Sequence, residues 1–408
     1  MKVLQINCVY RKGSTGKIVY DLHTFYKKNG IESYVVYGRG EKPSEENVYK
    51  VSGEIGSKLR NAISRFTGNL YGMGKCGLWK TIRLLKKISP DIVHMHCING
   101  FFIDIYGLLK YLKEKNIPTL LTLHAEFMYT GNCGYAFDCD AWKTGCTQCP
   151  NVWEAISSKK ASAPKKNWKK MAEAFAGFNN LYVAGVSDWV SNRAKISSIL
   201  KDKKITTVLN GLDDSVFQKV VEPIEEIERI HQKGKKVILF VTPYFESENK
   251  GGKWVLELSE KLKNEPIEFI VIGRTEKSYS YGNIQFIGPI SSPNQLASWY
   301  SQADVSLLVS KRETFSMVCA ESLCCGTPIV GFEAGAPELI ALKEYSKFVP
   351  YGDIDALAEQ LMIWSQKELD KDMISRLARK TYSKQVMAEN YWQAYRQLLK
   401  KQGEYGEN

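Results

Sequence analysis

The sequence predicts two successive α/β units, each a parallel sheet with helices on both faces. Short apolar runs rich in Val and Ile alternate with helical patterns throughout the 408 residues. Near-continuous apolar strands, each followed by a helical segment, are typical of parallel sheets that are covered on both sides. At about 150 residues per domain, the length favours two or three domains. Domains of this size bury a full core without disulfide or metal cross-links.

Candidate strands fall into two sets along the chain. The first set spans residues 3–7, 33–37, 91–96, 119–124, 181–186 and 205–209, and the second spans 237–241, 268–272, 284–287, 305–309 and 328–332. An acidic stretch with a proline at 213–228 separates them and is typical of a linker. We therefore predict an N-terminal domain over 1–212 and a second domain over 213–382. A helical segment over 383–408 has an aromatic face, which we expect to cross back and pack on the N-terminal domain.

Composition excludes several protein classes. Hydrophobic residues make up 44% of the chain and charged residues 25%, as in ordinary globular proteins and unlike collagen-like, disordered or coiled-coil chains. The apolar runs are far shorter than the roughly 18 residues that a membrane span needs. The first residues show no signal-peptide pattern. We therefore expect a cytoplasmic protein with reduced thiols.

The net charge of +12 favours acidic partners such as nucleotides, phosphates or anionic lipid. No acidic residue lies between Glu54 and Asp91, a stretch that contains Lys58, Arg60, Arg65, Lys75, Lys80, Arg83, Lys86 and Lys87. A second basic cluster comprises Lys159, Lys160, Lys165, Lys166, Lys169 and Lys170. These clusters are either solvated helix faces or a surface for an anionic membrane. Nucleic acid is not an expected partner, because no base-stacking pattern or helix-turn-helix signature is present.

Ligands of doubly wound sheets bind beyond the carboxyl ends of the strands, so two such sheets predict a shared cleft. The first loop there carries Gly13 and Gly16 between the first strand and the first helix. Without a Cβ, these glycines let backbone N–H groups approach a phosphate or sugar at a helix N-terminus. A plain tight turn explains them equally well.

The segment from Glu313 to Glu321 has the most informative spacing in the chain. If a helix begins just after Glu313, the two carboxylates lie about two turns apart on the same side. Glu313 is then placed to accept hydrogen bonds from a sugar, and Glu321 to accept both hydroxyls of a ribose. The N–H groups of Phe315, Ser316 and Met317 would point at a pyrophosphate. The alternative is helix capping by Glu313 and an ordinary surface role for Glu321.

This E-x7-E segment, followed by the Gly-Thr-Pro-Ile-Val run at 326–330, resembles the retaining glycosyltransferases of family 4, which have the GT-B fold. The resemblance extends over most of the chain. It includes the Asn-Gly-Leu-Asp run at 210–213, the Asn-Lys-Gly-Gly loop at 249–252 and the Gly-Ala-Pro-Glu run at 335–338. It implies two Rossmann-like domains that face a cleft, the first for the acceptor and the second for a nucleotide-sugar donor.

A narrower resemblance links residues 122–150 to the colanic-acid-type capsular and exopolysaccharide transferases. It rests on Thr-Leu-His at 122–124, Tyr-Thr-Gly-Asn-Cys-Gly-Tyr at 129–135 and the cysteine-containing run at 139–150. This sequence departs from that group at Ala125, where aspartate is common, and at Gly134, where histidine is common. These departures concern the acceptor side more than the donor side.

The family resemblance implies a role for each matching residue. Glu321 would hold the ribose hydroxyls of the donor, and Glu313 would contact the transferred sugar. Lys250 would neutralise the pyrophosphate, while the N–H groups after Glu313 and the loop with Gly13 and Gly16 cradle sugar and phosphates. His124 would touch the donor sugar.

Chemistry in the family needs no metal, because cations and helix dipoles meet the charge of the leaving group. The sequence departs from the family at Asn249, where a second cation is usual beside Lys250. Arg274 and Lys311 are candidates to compensate, although a solvated surface position explains either of them as well.

His94 and His96 end the predicted strand at 91–96, and we expect only one of the two to face the cleft. His96 is the candidate for an acceptor contact, and a hydrogen-bonded core histidine is the alternative.

Four cysteines, Cys133, Cys139, Cys146 and Cys149, follow a C-x5-C-x6-C-x2-C pattern. Such a pattern is compatible with a structural zinc ion or with reduced, unliganded thiols, and a cytoplasmic location disfavours disulfides.

Together these observations predict a retaining hexosyltransferase with metal-independent chemistry. It would move a hexose-type sugar from a nucleotide-diphosphate sugar to a saccharide acceptor, and the nucleotide of the donor would be UDP or GDP. Bacterial surface polysaccharide synthesis is the expected setting, with a lipid-linked acceptor and a peripheral position on the inner face of the plasma membrane. The alternatives are a GT-B sugar-nucleotide epimerase and a non-catalytic module that binds sugar nucleotides.

Overall fold

The computed structural model describes residues 1–42, 44–275 and 282–403, with the backbone alone for 401–403. The chain forms two compact units. The first contains Met1–Leu209 and the chain from Met387 onward, and the second contains Asn210–Val386. The domain boundaries predicted from the sequence, at 212/213 and 382/383, lie close to these positions. Residues 404–408 of the predicted C-terminal segment lie outside the described residues.

Over its described residues, the first unit has a seven-stranded sheet with the order β3-β2-β1-β4-β5-β6-β7, and every pairing is parallel. Its strands are β1 (Lys2–Val9), β2 (Glu32–Arg39), β3 (Val48–Lys50), β4 (Ile92–Met95), β5 (Thr119–Leu123), β6 (Leu181–Gly185) and β7 (Lys204–Thr207). Its helices are α1 (Gly13–Lys28), α2 (Glu54–Thr67), α3 (Lys75–Ile88), α4 (Ile105–Glu114), α5 (Val152–Ile156), α6 (Ala163–Phe175) and α7 (Asp188–Ile196).

The second unit has a six-stranded parallel sheet over its described residues, with the order β10-β9-β8-β11-β12-β13. Its strands are β8 (Lys236–Tyr244), β9 (Ile267–Arg274), β10 (Ile284–Gly288), β11 (Val305–Leu308), β12 (Ile329–Phe332) and β13 (Ser346–Val349). Its helices are α8 (Glu225–Gln232), α9 (Gly252–Lys261), α10 (Pro293–Gln302), α11 (Met317–Cys324), α12 (Pro337–Ile340), α13 (Ile354–Ser365) and α14 (Lys371–Tyr382), and α15 (Lys384–Gly403) follows.

The cores follow the apolar strands predicted from the sequence. In the second unit, buried residues of β8, β9, β11 and β12 pack with α9 and α13. In the first unit, the core includes six residues of α15, namely Met387, Ala388, Tyr391, Ala394, Tyr395 and Leu398. The aromatic face of the C-terminal helix therefore packs on the N-terminal sheet.

Every strand predicted from the sequence is present, with ends shifted by a few residues. Two strands were not predicted, β3 and β13, and each lies at an edge of its sheet. Both are short and partly exposed, so neither shows the continuous apolar run of a central strand. In the part of the chain that the structure describes, no helix combines the length and the apolar character that a membrane span requires.

Candidate active site

The topology of the second unit concentrates functional side chains at one point. Strands β9 and β10 lie on one side of β8, and β11, β12 and β13 lie on the other, so the strand order reverses between β8 and β11. Ligands of such sheets bind beyond the carboxyl ends of the strands at this reversal. A small cleft lies there, and its lining includes Lys250, Ser310, Glu313 and Ser316.

Two of the predicted site residues form an ion pair in this cleft. Lys250 Nζ donates to Glu313 Oε1 at 2.6 Å, and Glu313 is only 8% exposed. The backbone holds this carboxylate in place, because Glu313 N donates to Ala334 O at 2.9 Å and Glu313 forms a β-bridge with Gly335. Charge-assisted hydrogen bonds of this kind are short and strong, so each side chain fixes the position of the other.

Asn249, the residue that departs from the family pattern, has a structural role in the same cleft. Its Oδ1 accepts from Arg312 N at 3.0 Å, and its Nδ2 donates to Arg312 O at 3.1 Å. Asn249 O also accepts from Lys311 N at 2.8 Å. The amide therefore clamps the segment that precedes Glu313, a task that a lysine or arginine side chain cannot perform because it has no acceptor. The other candidate for compensation, Arg274, ends β9 and is exposed.

Two adjacent glycines bring the loop with Lys250 close to the end of β11. Gly251 has a φ of +74°, and a Cβ there would lie 2.3 Å from Val309 O. A Cβ on Gly252 would lie 2.2 Å from Phe245 O. Both positions thus require glycine for close backbone approach, and Gly251 requires it for its conformation as well.

The helix after Glu313 begins later than the sequence predicts. Helix α11 starts at Met317, with Ser316 as its N-cap, and Ser316 Oγ accepts from Cys319 N at 3.3 Å. The condition under which Glu313 and Glu321 would lie on the same side, a helix that begins just after Glu313, is therefore not met. The pairing of Glu313 with the 334–335 segment keeps it outside the helix.

Ser316 has a φ of +84°, which is uncommon for a residue with a Cβ and costs of order 1–3 kcal/mol. Such strain is found where a loop must present groups in a particular direction. The first N–H groups of α11, beginning at Met317, lie at the positive end of the helix, which attracts anions.

Glu321 lies within α11 and is half-buried. Tyr300 OH, from α10, donates to Glu321 Oε2 at 3.1 Å. Burial raises the pKa of the Glu321 carboxyl to about 7, and the hydrogen bond from Tyr300 opposes that shift. Glu321 therefore titrates near neutral pH. Tyr300 was not predicted as a site residue, since nothing in its local sequence distinguishes it from a core tyrosine.

In the first unit, the strand order reverses between β1 and β4, and the predicted glycine loop follows β1. Helix α1 begins at Gly13, whose φ is +65°. Arg11 N donates to Gly16 O at 3.0 Å, and a Cβ on Gly16 would lie 3.1 Å from Val9 Cγ2. The loop is thus a tight turn that ends at a helix N-terminus beyond the sheet.

His94 and His96 do not face opposite ways. Their ring centroids lie 3.8 Å apart, and both side chains are fully buried. The two rings lie on the same face of the sheet, because side chains two residues apart along a strand point the same way. His94 contacts Tyr395 OH at 2.6 Å and Thr122 Oγ1 at 2.7 Å, so it is anchored within the core.

His96 links Gln5 to His124. Its Nδ1 lies 3.2 Å from His124 Nε2, and its Nε2 lies 3.2 Å from Gln5 Oε1. Both ring nitrogens are therefore engaged within the protein. This favours the alternative stated for His96, a hydrogen-bonded core histidine, over an acceptor contact. His124, by contrast, is partly exposed.

The chain of contacts defines the tautomer of His124. Burial lowers the pKa of His96 and of His124, the latter to about 4, so both rings are neutral at neutral pH. Gln5 Nε2 donates to Val19 O, which leaves its Oε1 to accept a proton from His96 Nε2. His96 Nδ1 then accepts from His124 Nε2, so His124 carries its proton on Nε2.

The four-cysteine loop does not have the arrangement of a zinc site. All four thiols are free, and in the described ranges no three His, Cys, Asp or Glu side chains are placed to hold a metal ion.

The loop is ordered instead by a buried ion pair that the sequence did not reveal. Arg193 Nε donates to Glu126 Oε1 at 2.7 Å, and Glu126 is fully buried. Tyr129 OH and Ala136 N donate to the same carboxylate at 3.0 and 2.7 Å. Glu126 therefore joins the loop after β5 to α7, beside His124 in the chain.

Both halves of the chain match protein-family models. The model described as "Glycosyltransferase Family 4" matches residues 15–216, and the model described as "Glycosyl transferases group 1" matches residues 235–366. The chain is 23% identical to the "Putative colanic acid biosynthesis glycosyl transferase WcaC" of Escherichia coli (strain K12), over 98% of this chain and 100% of the relative. It is 24% identical to N-acetyl-alpha-D-glucosaminyl L-malate synthase of Bacillus anthracis, over 44% of this chain and 50% of the relative.

Solved structures share the fold. A sucrose-phosphate synthase from Thermosynechococcus elongatus superposes with a TM-score of 0.66 at 15% identity, covering 98% of this chain and 99% of that one. Anabaena Alr3699/HepE in complex with UDP superposes with a TM-score of 0.61 at 13% identity, covering 97% and 99%. Both likenesses concern the architecture of two parallel-sheet units.

Proposed function

The chain belongs to the GT-B glycosyltransferases, with a family 4 domain followed by a group 1 domain, and we propose that it transfers a hexose from a nucleoside-diphosphate sugar to a saccharide acceptor with retention of configuration. The proposed setting is bacterial surface polysaccharide synthesis. The likeness to the colanic acid transferase over the whole chain supports this setting. The fold shared with a protein crystallised with UDP supports a nucleotide-sugar donor.

The observation that carries the proposal is the Lys250–Glu313 pair at the strand reversal of the second unit. A diphosphate bound there would compete with Glu313 for the Lys250 ammonium group. The Glu313 carboxylate would then be released to face the transferred sugar. Lys250 would in turn offset the charge that grows on the diphosphate as it leaves.

In this proposal, the other residues contact different parts of the donor. The N–H groups at the start of α11, with Phe315, Ser316 and Met317, face the phosphates. Glu321 accepts the two ribose hydroxyls. In the first unit, His124 and the loop with Gly13 and Gly16 act on the sugar and the acceptor.

The proposed reaction needs no metal ion. The acceptor hydroxyl oxygen bonds to the anomeric carbon while the bond from that carbon to the phosphate oxygen breaks. The hydroxyl proton passes to the departing phosphate oxygen. Attack on the face from which the leaving group departs gives retention. Lys250 and the positive end of α11 supply the cationic environment that a metal provides elsewhere.

The test is product analysis with the purified chain. Thermal unfolding with UDP, GDP, ADP and TDP identifies the base first, since a ligand at a hundred times its Kd stabilises the folded state by about 2.7 kcal/mol. The matching sugar nucleotide is then incubated with and without saccharide acceptors. A new glycosidic product with retained configuration in the presence of EDTA supports the proposal. An epimerised sugar from donor alone would establish an epimerase, and binding without turnover would establish a binding module.

The acceptor is proposed to be lipid-linked. The basic clusters of the first half of the chain support this, because they would bring the enzyme to an anionic membrane face where such acceptors are held. Comparison of a lipid-linked acceptor with the same saccharide released from its lipid tests this part. Equal transfer rates to both, in the presence of anionic vesicles, would contradict it.

A further inference from the structure

Helix α2 turns its apolar side to solvent and its polar side to the protein. Its inward residues include Ser57 and Ser64, each only 2% exposed. Its outward apolar residues, with their exposed fractions, are Ile55 (85%), Leu59 (60%), Ile63 (40%) and Phe66 (61%). These four are spaced four, four and three residues apart, so they form one stripe along the helix. Globular proteins usually orient an amphipathic helix the other way round.

Hydrogen bonds fix this orientation. Arg60, on the inner side, donates from Nε to Phe101 O at 2.6 Å and from Nη2 to Ser52 Oγ at 2.7 Å. At the C-terminal end, Lys159 N donates to Arg65 O at 2.8 Å. Rotation of the apolar stripe into the core would break these hydrogen bonds and remove the donors that now satisfy Phe101 O and Ser52 Oγ. The stripe is therefore a stable surface feature.

Cations and an aromatic ring border the stripe. Lys159 Nζ lies 5.1 Å from the centre of the Phe66 ring, and Arg65 Cζ lies 5.9 Å from that of Trp153 on α5. Trp153 is itself 50% exposed. Lys58, on α2, is also exposed.

The acidic residues nearby do not neutralise this surface. The acidic residue within α2, Glu54, lies at its first position and is bound by Arg39 and by Gly40 N. Glu154, next to Trp153, is the acidic residue of α5. The surface thus combines exposed apolar side chains with an excess of positive charge.

We propose that α2 together with Trp153 is the docking surface for an anionic lipid bilayer. The helix would lie in the plane of the interface, with its apolar stripe among the acyl chains and with Lys58, Arg65 and Lys159 at the headgroups. Aromatic side chains such as Phe66 and Trp153 favour this interfacial position. A second copy of the chain fits less well, because it would bring two faces of the same positive charge together.

The purpose of this surface rests on the proposed function, because a lipid-linked acceptor is held in a bilayer. It would bring the first unit to the acceptor without a membrane span.

The test is co-sedimentation of the full chain with vesicles of phosphatidylcholine, alone or mixed with phosphatidylglycerol. The variant L59S/I63S/F66S removes the stripe, and K58E/R65E reverses two charges. We expect binding to mixed vesicles only, weakened at least tenfold by either variant. Matched controls are L339S/I363S, which changes two exposed apolar residues of the second unit, and K27E/K28E, which reverses two exposed charges on α1. The controls should bind like the parent chain.

Two further measurements keep this result separate from the proposed reaction and from folding. Nucleotide binding and thermal unfolding of the stripe variant should match those of the parent chain, because α2 contains none of the proposed donor residues. Equal vesicle binding by parent and stripe variant would overturn the docking surface, whatever the enzyme does. So would a change of the stripe variant from dimer to monomer, which would identify a second copy as the occupant. Loss of turnover with vesicle binding intact would instead count against the proposed reaction.

Discussion

The ammonium group of Lys250 and the carboxylate of Glu313 meet at 2.6 Å beyond the carboxyl ends of β8 and β11. The two residues are 63 positions apart in the chain, so the sheet topology alone brings them together. In the proposed reaction, Glu313 competes with a diphosphate for the Lys250 ammonium group. Lys250 competes with a sugar hydroxyl for the Glu313 carboxylate.

This competition predicts opposite effects of one substitution on binding and on turnover. Glu313→Gln keeps the size of the side chain and removes its charge. Lys250 then loses its counter-charge, so nucleoside diphosphate should bind at least as tightly as in the parent, while transfer should fall by about a hundredfold or more. Calorimetry and initial rates measure the two effects. Glu333→Gln, an exposed neighbour, is the control, and unchanged turnover in Glu313→Gln would refute the proposed role of Glu313.

Nucleotide binding should depend on the ionisation of Glu321. With a pKa of about 7, this side chain becomes protonated as the pH falls through neutrality and then accepts ribose hydroxyls less well. Affinity for the nucleotide should therefore decrease on acidification. Tyr300→Phe removes a hydrogen bond that favours the carboxylate, so the midpoint should move to higher pH. In Glu321→Gln, the same titration should be flat, and a parent-like midpoint in that variant would assign the titration to another group.

The hydrogen bonds of Asn249 should contribute to the stability of the protein, so the absence of a second cation at this position is not its main effect. Asn249→Ala removes two hydrogen bonds to the backbone of Arg312, and we expect the free energy of unfolding to fall by about 1–2 kcal/mol. Asn249→Lys introduces the second cation that the family pattern contains, yet it should destabilise the protein similarly because it cannot clamp the loop. Chemical denaturation measures both, with the exposed Asn294→Ala as reference. A fully stable Asn249→Lys variant would contradict the clamp.

Alanine substitutions at two glycines with nearly the same φ should distinguish the stability cost of backbone strain from that of a steric clash. Gly234 has a φ of +72° with open space around it, whereas a Cβ on Gly251 would lie 2.3 Å from Val309 O. Gly234→Ala should cost only the left-handed penalty of about 1–2 kcal/mol. Gly251→Ala should cost clearly more, and nucleotide binding should weaken with it because the loop with Lys250 must move. Equal losses of stability in the two variants would show that the loop adapts without strain.

The tautomer of His124 should depend on Gln5, because His96 links the two in a chain of hydrogen bonds. Gln5→Leu removes the acceptor for His96 Nε2. The His96 proton is then expected to move to Nδ1, from which it is donated to His124 Nε2, and the His124 proton to move to its own Nδ1. Gln5→Glu keeps an acceptor oxygen and should preserve the original tautomers. Histidine nitrogen NMR reads the tautomers directly, and an unchanged His124 spectrum in Gln5→Leu would rule out this linkage.

The sequence predicted the elements with strong local signals and missed those that depend on distant partners. Central strands such as β8 and β12 consist largely of apolar residues, and both were predicted close to their observed positions. The start of α11 was misplaced because Glu313 is held by the 334–335 segment, a contact that no local pattern reports.

The candidate site follows the same rule. Glu313 and Glu321 were singled out by their spacing and Lys250 by a family resemblance, and the topology brings Lys250 and Glu313 together. Their partners were not found. Asn249 looked like a missing cation rather than a clamp, and Gln5 and Tyr300 looked like ordinary strand and helix residues, since their roles arise only from side chains brought together by the fold.

Helix α15 also sets the order in which the molecule can be completed. Met387, Tyr391, Tyr395 and Leu398 belong to the core of the first unit, and Tyr395 OH contacts the buried His94. Residues 1–209 emerge from the ribosome long before these side chains are synthesised. The first unit therefore acquires the last part of its hydrophobic core only when α15 emerges. An N-terminal fragment would keep an exposed apolar face. A stop codon before Met387 would shorten the C-terminal end of the sequence and destabilise the unit built from its N-terminal half.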